Sequence, residues 1–245
     1  MEQSLNISNM KFGILAEGKS DCAVLTNILH GLALIERNSD VRFLRPVFSL
    51  DATDTSDQDN IADSFSNWTL VKKDCTEFSK INNYLNHENF LGQERKIIIQ
   101  IDTAECEEAG YDVIRPNKKE ATYCEDLRIE VITKIKSWVN KPAIDNQLFF
   151  AVCIEETEAW VHALYENKNT TNFPDPKKAF EKYRSKKSQT DKKFQKQEQK
   201  LINKSTFEKF DFYSKGFQKK KNITSSSKNN KSLEAFVNSL PTSIA

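Results

Sequence analysis

The sequence predicts an α/β fold: a mostly parallel sheet with helices on both faces, followed by a basic, mainly helical C-terminal extension. Three observations carry this. Short apolar runs of strand length alternate with longer segments of helical periodicity. Three of those runs end in acids, at Glu17, Asp102 and the Glu155–Glu156 pair. The charge balance then reverses: residues 166–245 hold 19 Lys and Arg against 8 Asp and Glu, a balance of +11, whereas residues 1–165 balance at −10.

Taken in order, residues 1–10 are polar and read as a loose lead-in. Phe12 to Glu17 reads as a buried strand that stops at Glu17-Gly18. Asp21 to Ile35 places Val24, Leu25, Ile28, Leu29 and Leu32 at helical spacing. Val41 to Leu50 is a second strand candidate, set at an edge or bulge by Pro46. Asp51 to Trp68 is acid-rich, but it lacks the Gly and terminal Glu of a calcium loop and reads as a solvated connection. Thr76 to His87 is helical, with Phe78, Ile81, Tyr84 and Leu85 on one side.

Lys96 to Asp102, KIIIQID, has the continuous apolar character of a central parallel strand. Thr103 to Lys119 follows as a loop, and Glu120 to Val139 as an amphipathic helix. Gln147 to Ile154 is the next buried strand, and Thr157 to Tyr165 the next helix. Residues 11–165 thus form the α/β domain and 166–245 the extension. Within the extension, Lys177 to Phe210 is rich in Lys and Gln, and Ile223 to Lys231 reads as low-complexity and flexible. Leu233 to Leu240 closes as a short helix.

Composition narrows the function classes. A chain 38% hydrophobic and 29% charged, with no apolar run long enough for a bilayer, is expected to be soluble and without a membrane role. MEQSLNISNM has no basic segment leading into an apolar core, so no secretory signal is expected and cytoplasmic residence is. The five cysteines show no CxxC spacing, and the three histidines no HxH or HxxxH, which argues against a disulfide framework or zinc. Any bound metal would take oxygen ligands, pointing to Mg²⁺, Mn²⁺ or Ca²⁺.

Residues 13–20, GILAEGKS, match the phosphate-loop pattern GxxxxGK[ST]. The apolar residues fall after Gly13, however, where that loop should be, and Glu17 would put a carboxylate among phosphates. The competing reading is an acidic site. In open parallel sheets, sites form beyond the carboxyl ends of strands. If Glu17 and Asp102 end neighbouring strands, then with Asp21 and Glu105 close by, their charges require a divalent cation.

Three segments carry a family resemblance: LAEGKSD at 15–21, IIIQID at 97–102 and CIEETEAWVHALY at 153–165. The first two resemble the Glu and Asp motifs of the TOPRIM fold of topoisomerases, primases and several nucleases. The third resembles the Glu-x-Glu-Ala-Trp signature of a bacterial TOPRIM-like group seen near ATPase genes and in phage defence, as does the tail FYSKGFQKKK…SLEAFVNSL. The resemblance implies a Mg²⁺- or Mn²⁺-dependent nuclease acting on DNA or RNA.

On that resemblance the candidate catalytic residues are Glu17, Asp102 and Glu156, and the candidate metal ligands Glu17, Asp21, Asp102, Glu105 and Glu158. The chain departs from the pattern twice. Ala104 stands where the second Asp of the DxD motif belongs, and Glu155 stands where the group commonly has a basic residue. The altered motif keeps open a non-catalytic sensor or regulatory subunit held by an ATPase partner, with a phosphate-loop NTPase third.

The basic tail is expected to meet a polyanion. Lys19 and Lys219–Lys221 are the candidate phosphate contacts, and the aromatics interleaved with lysine between Lys177 and Lys221 could stack on bases.

Overall fold

The computed structural model describes residues 10–47, 67–87 and 93–241. The expected lead-in up to residue 9, the end of the second strand at 48–50 and the acid-rich stretch 51–66 lie outside the described residues. Four parallel strands form one sheet in the order β2-β1-β3-β4. They are β1 (Met10–Leu15), β2 (Val41–Arg45), β3 (Glu94–Asp102) and β4 (Leu148–Cys153).

Central position explains the sequence of β3. Hydrogen-bonded to β1 on one side and β4 on the other, it has both faces covered, so Ile97, Ile98, Ile99 and Ile101 are all buried. β2 is an edge strand that ends just before Pro46, where a missing amide breaks no ladder.

Two apolar cores lie on opposite faces. On one, Leu15, Ile97, Ile99 and Ile101 meet α2 (Trp68–Glu77), α3 (Ser79–Leu85) and α4 (Tyr123–Val139) through Val71, Cys75, Ile81, Leu127, Val131 and Ile135. The single helix expected from Thr76 to His87 is two helices, and the first begins eight residues earlier, at Trp68. Asn67 caps α2 by accepting from the amides of Thr69 and Leu70. Phe78, at φ 59°, turns the chain from α2 into α3.

The other face carries α1 (Lys19–Gly31) and α5 (Glu158–Ala163). Most of the rest is supplied by the C-terminal stretch. Its helices are α6 (Pro176–Thr190), α7 (Lys192–Lys200), α8 (Thr206–Ser214), α9 (Lys220–Ser227) and α10 (Lys231–Ser239). Phe180, Phe194, Tyr213, Phe217, Ile223 and Phe236 join Phe12, Ile14, Val24 and Ile28 in one cluster. The basic extension therefore completes the core above α1.

Two tail expectations are corrected. Ile223 to Lys231, expected to be flexible, is the end of α9 and the turn into α10, where Ile223 is buried and Asn230 caps Leu233. The lysine-interleaved aromatics are not free to stack on bases: Phe180, Phe194, Tyr213 and Phe217 are buried, and Tyr183, Phe207, Phe210 and Phe212 pack against the same core. Burying a large ring removes far more apolar surface from water than an exposed base contact would.

Candidate functional site

Parallel pairing brings the strand-end acids to one edge. Leu15 pairs with Ile99 and Asp102 with Cys153, so residues just past β1, β3 and β4 emerge together. Among the described residues only Ala16, Glu17 and Gly18 separate β1 from α1. Gly13 lies inside β1, paired with Ile97, with Tyr84 and the Ile97 side chain too close to admit a Cβ without movement. The first three residues of the phosphate-loop string are thus strand, its last two open α1, and Glu17 lies in the short connection between them.

Glu17 and Asp102 are locked together. The Asp102 amide donates to Glu17 Oε1 at 2.7 Å, and the Glu17 amide donates to Gln100 Oε1 at 2.9 Å. Gln100 Nε2 donates to Asp102 Oδ1 at 2.8 Å and to Thr157 Oγ1 at 3.1 Å, and the Thr157 hydroxyl donates to Asp102 Oδ1 at 3.2 Å. Asp21, in the first turn of α1, is near enough for Thr157 to lower its carboxyl against the rise from burial. The Thr157 hydroxyl donates to Asp102, so the neighbouring Asp21 charge is left to repel it.

Burial and mutual repulsion drive the acids toward the protonated form. Glu17 is 9% exposed and Asp21 5%. Burial raises the Glu17 carboxyl most, opposed by the Asp102 amide and reinforced by Asp21 and Glu105. Asp21 is raised by burial, against hydrogen bonds that lower it, and by Glu156. Burial lifts Asp102 well above the usual carboxylate range, with Asp21, Glu17, Glu158 and Glu156 adding to it. Glu158, at the start of α5, is pushed up to about 7 by burial, then by Asp21 and Glu156. None of Glu17, Asp21, Asp102 and Glu158 forms an ion pair among the described residues.

A second network latches the β3 and β4 ends. The amides of Thr103 and Ala104 both donate to the Glu155 carbonyl at 3.1 Å, and Thr103 Oγ1 accepts from the Glu155 amide at 2.8 Å. Glu155, at φ 62°, turns its carboxylate away toward Arg115, which grips it with Nη1 at 2.8 Å and Nη2 at 3.1 Å. Lys118 adds a contact at 2.9 Å. A basic residue is therefore supplied beside this turn from the loop before α4.

The expected site residues divide. Glu17, Asp21, Asp102 and Glu158 come together. Glu105 is exposed in the loop after β3, beside the equally exposed Ala104, and feels Glu108 and Glu156 after its own burial. Glu156 is half-buried, and its Oε2 accepts from the Lys177 amide at 3.1 Å, tying it to the start of α6. Lys19 is the first residue of α1. Lys219–Lys221 are not brought to the site. They stand where the 3-10 turn Lys215–Gln218 passes into α9, beside Asn27 and Gly31, toward the far end of α1 from Asp21.

Sequence reasoning missed Gln100, Thr157 and Arg115. Gln100 carried a signal, being the one polar residue inside an otherwise continuous isoleucine run. Thr157 and Arg115 carried none, because their partners are distant in the chain.

No family model, curated protein or solved structure matches this chain. Among the described residues no group of three or more His, Cys, Asp and Glu is arranged to hold a metal ion. The chemistry of the cluster is that of a hard-cation donor set, all carboxylate and mutually repelling, and none of its members forms an ion pair among the described residues. Mg²⁺ is commonly held by one or two carboxylates, with water and substrate phosphate completing its shell, so no closed cage is required.

Proposed function

We propose that the chain is a TOPRIM-like, divalent-metal-dependent nuclease hydrolysing nucleic-acid phosphodiesters, in the setting of bacterial anti-phage defence. The observation that carries the chemistry is the Glu17–Asp102 lock, with Asp21 and Glu158 near enough to repel it and, among the described residues, no cation ion-paired to any of the four. The family assignment and the defence setting rest on the sequence motifs.

Glu17 and Asp102 would hold Mg²⁺ or Mn²⁺, with Asp21 beside them. Bound there, the ion would supply charge stabilisation at the phosphate and an acidified water. The chain's own contribution is orientation. Gln100 fixes the Glu17 backbone and one Asp102 oxygen at once, and Thr157 holds that same oxygen from the β4 side. Glu158, raised to about 7, would be the group to exchange a proton near neutral pH.

The exposed Ala104 favours one second reading, a non-catalytic TOPRIM-like sensor or regulatory subunit of an ATPase complex, because the second Asp of the motif is absent. The deciding experiment incubates the purified chain with labelled DNA and RNA in Mg²⁺ or Mn²⁺, beside Glu17→Gln and Asp102→Asn. Cleavage lost in both variants supports hydrolysis. Cleavage unchanged in both overturns the site, and no cleavage by the parent favours the binding subunit.

A further inference from the structure

We infer that α6 and α7 form a sequence-independent track for the phosphate backbone of a nucleic-acid strand, leading away from the carboxylate centre. The inference rests on reading that centre as a nucleic-acid site, and it moves the contact surface away from Lys219–Lys221.

The first support is position. The α6 N-terminus borders the site: the Lys177 amide donates at 3.1 Å to Oε2 of Glu156, two residues before Glu158, and the Lys177 charge lowers the Glu158 carboxyl. A strand whose phosphate sits at Glu17 and Asp102 therefore meets α6 next. Lys219–Lys221 follow Gln218, which bonds Asn27 in the middle of α1, and lead into α9, whose Ile223 lies against Gly31. Ten residues of helix separate Asp21 from Gly31, about 15 Å along the axis.

The second support is how the charges are arranged. Residues 177–204 hold 11 Lys and Arg against 3 Asp and Glu. Two of those acids are consumed internally. Asp191 caps α7 and pairs with Lys187, and Glu198 clamps Arg184 at 2.7 Å while accepting from Ser188 and Tyr213. Glu181 alone remains outside. Lys178, Lys182 and Lys186 recur at four-residue spacing on exposed α6, and Lys192, Lys196 and Lys200 do so on α7. None of these six forms an ion pair among the described residues. Along each helix a cation thus recurs about every 6 Å.

The third support is what the outer face lacks. Every exposed residue of α7 is Lys or Gln, and the exposed residues of α6 are Lys, Glu, Ser, Gln and Thr. The aromatics of both helices point into the core. A membrane-binding helix would carry large apolar residues outward, and a base-reading surface would expose rings. Free cations over a polar face match a phosphodiester backbone, with affinity arising from counterion release.

The test uses the full chain carrying Glu17→Gln, in EDTA, so that the probe stays intact. Binding of a fluorescein-labelled 30-mer single strand is measured from 50 to 300 mM KCl. Six substitutions, Lys178, Lys182, Lys186, Lys192, Lys196 and Lys200 each to Gln, should weaken binding at least tenfold at 100 mM and flatten the log–log salt slope by about 2–4. Lys219→Gln, Lys220→Gln and Lys221→Gln together should leave Kd within about twofold. Should the six-site variant lose its melting transition, the separate α6 and α7 triples replace it.

Parent-like affinity and slope in the six-site variant would overturn the track. So would a larger loss from the 219–221 triple, or equal competition by polyglutamate of matched charge, which would indicate an acidic protein partner. A Mg²⁺ cleavage assay with the native Glu17 separates the two readings. Lysine-dependent binding without cleavage by the parent leaves the track standing and removes hydrolysis. Cleavage with a KM unaffected by the six substitutions does the reverse.

Discussion

The Asp102 backbone amide donates to Glu17 Oε1 at 2.7 Å. Residues 85 positions apart are thereby coupled, so the carboxylate at the end of β1 is set by the end of β3. Gln100 closes the loop, accepting from the Glu17 amide and donating to Asp102. Glu17 is positioned by β3, and the Asp102 carboxylate by Gln100 of its own strand and by Thr157 beyond β4.

Neutralising this cluster should separate stability from activity. Glu17→Gln and Asp102→Asn keep side-chain hydrogen-bonding capacity while removing a charge that burial disfavours. Without divalent cations at pH 8, both variants should melt a few degrees above the parent, while cleavage falls at least 100-fold. Differential scanning fluorimetry and a gel cleavage assay read the two effects. A variant that melts lower than the parent without divalent ions would contradict the repulsion argument.

Stability should fall as pH rises. The raised carboxyls keep their protons to higher pH in the folded chain than in the unfolded one, so between about 4.5 and about 7 for Glu158 the folded state binds more protons. Stability is full below the unfolded value, declines across that window and levels off above it. Mg²⁺ competes with those protons, so 10 mM MgCl₂ should raise Tm clearly at pH 8 and hardly at pH 5. An equal shift at both pH values would exclude the cluster as the binding site.

Removing the Gln100 amide tests the lock itself. Gln100→Leu leaves the buried Glu17 amide without its acceptor and releases Asp102 Oδ1 from one donor. A loss of about 2 kcal/mol is expected in urea unfolding, together with at least tenfold weaker Mg²⁺ dependence of cleavage. Gln100→Glu should not rescue, since it adds another buried carboxylate.

The C-terminal helices should prove inseparable from the sheet. A Cβ built on Gly31 would stand 1.8 Å from the Phe217 carbonyl oxygen and 2.7 Å from Ile223. Gly31→Ala must push the Lys215–Gln218 turn off α1, at a cost of about 1–3 kcal/mol. Proteolysis at low trypsin should then release fragments from the lysine-rich segment that the parent protects. A variant as stable and protease-resistant as the parent would show that the turn can shift freely.

The parallel α/β class was legible because buried strands flanked by helices demand continuous apolar runs, and KIIIQID and QLFFAVC supply them. Acids directly after such runs marked the sheet edge, so Glu17 and Asp102 could be named without coordinates, whereas Glu158 was named only through the Glu-x-Glu resemblance. The α2–α3 break was not legible, since Phe78 is not a residue type that advertises a left-handed turn.

What the sequence determined alone was local: periodicity, strand ends, the reversal of charge near residue 165 and the residue types available for chemistry. Strand order, and therefore which acids meet, came only from the tertiary structure. So did the fate of the tail. Its lysines and aromatics look interchangeable along the chain, yet packing turned the rings onto α1, engaged Asp191 and Glu198 within α6 and α7, and left the lysines of those two helices outward. Burial is decided by which surface an element meets, and that depends on residues far away in the chain.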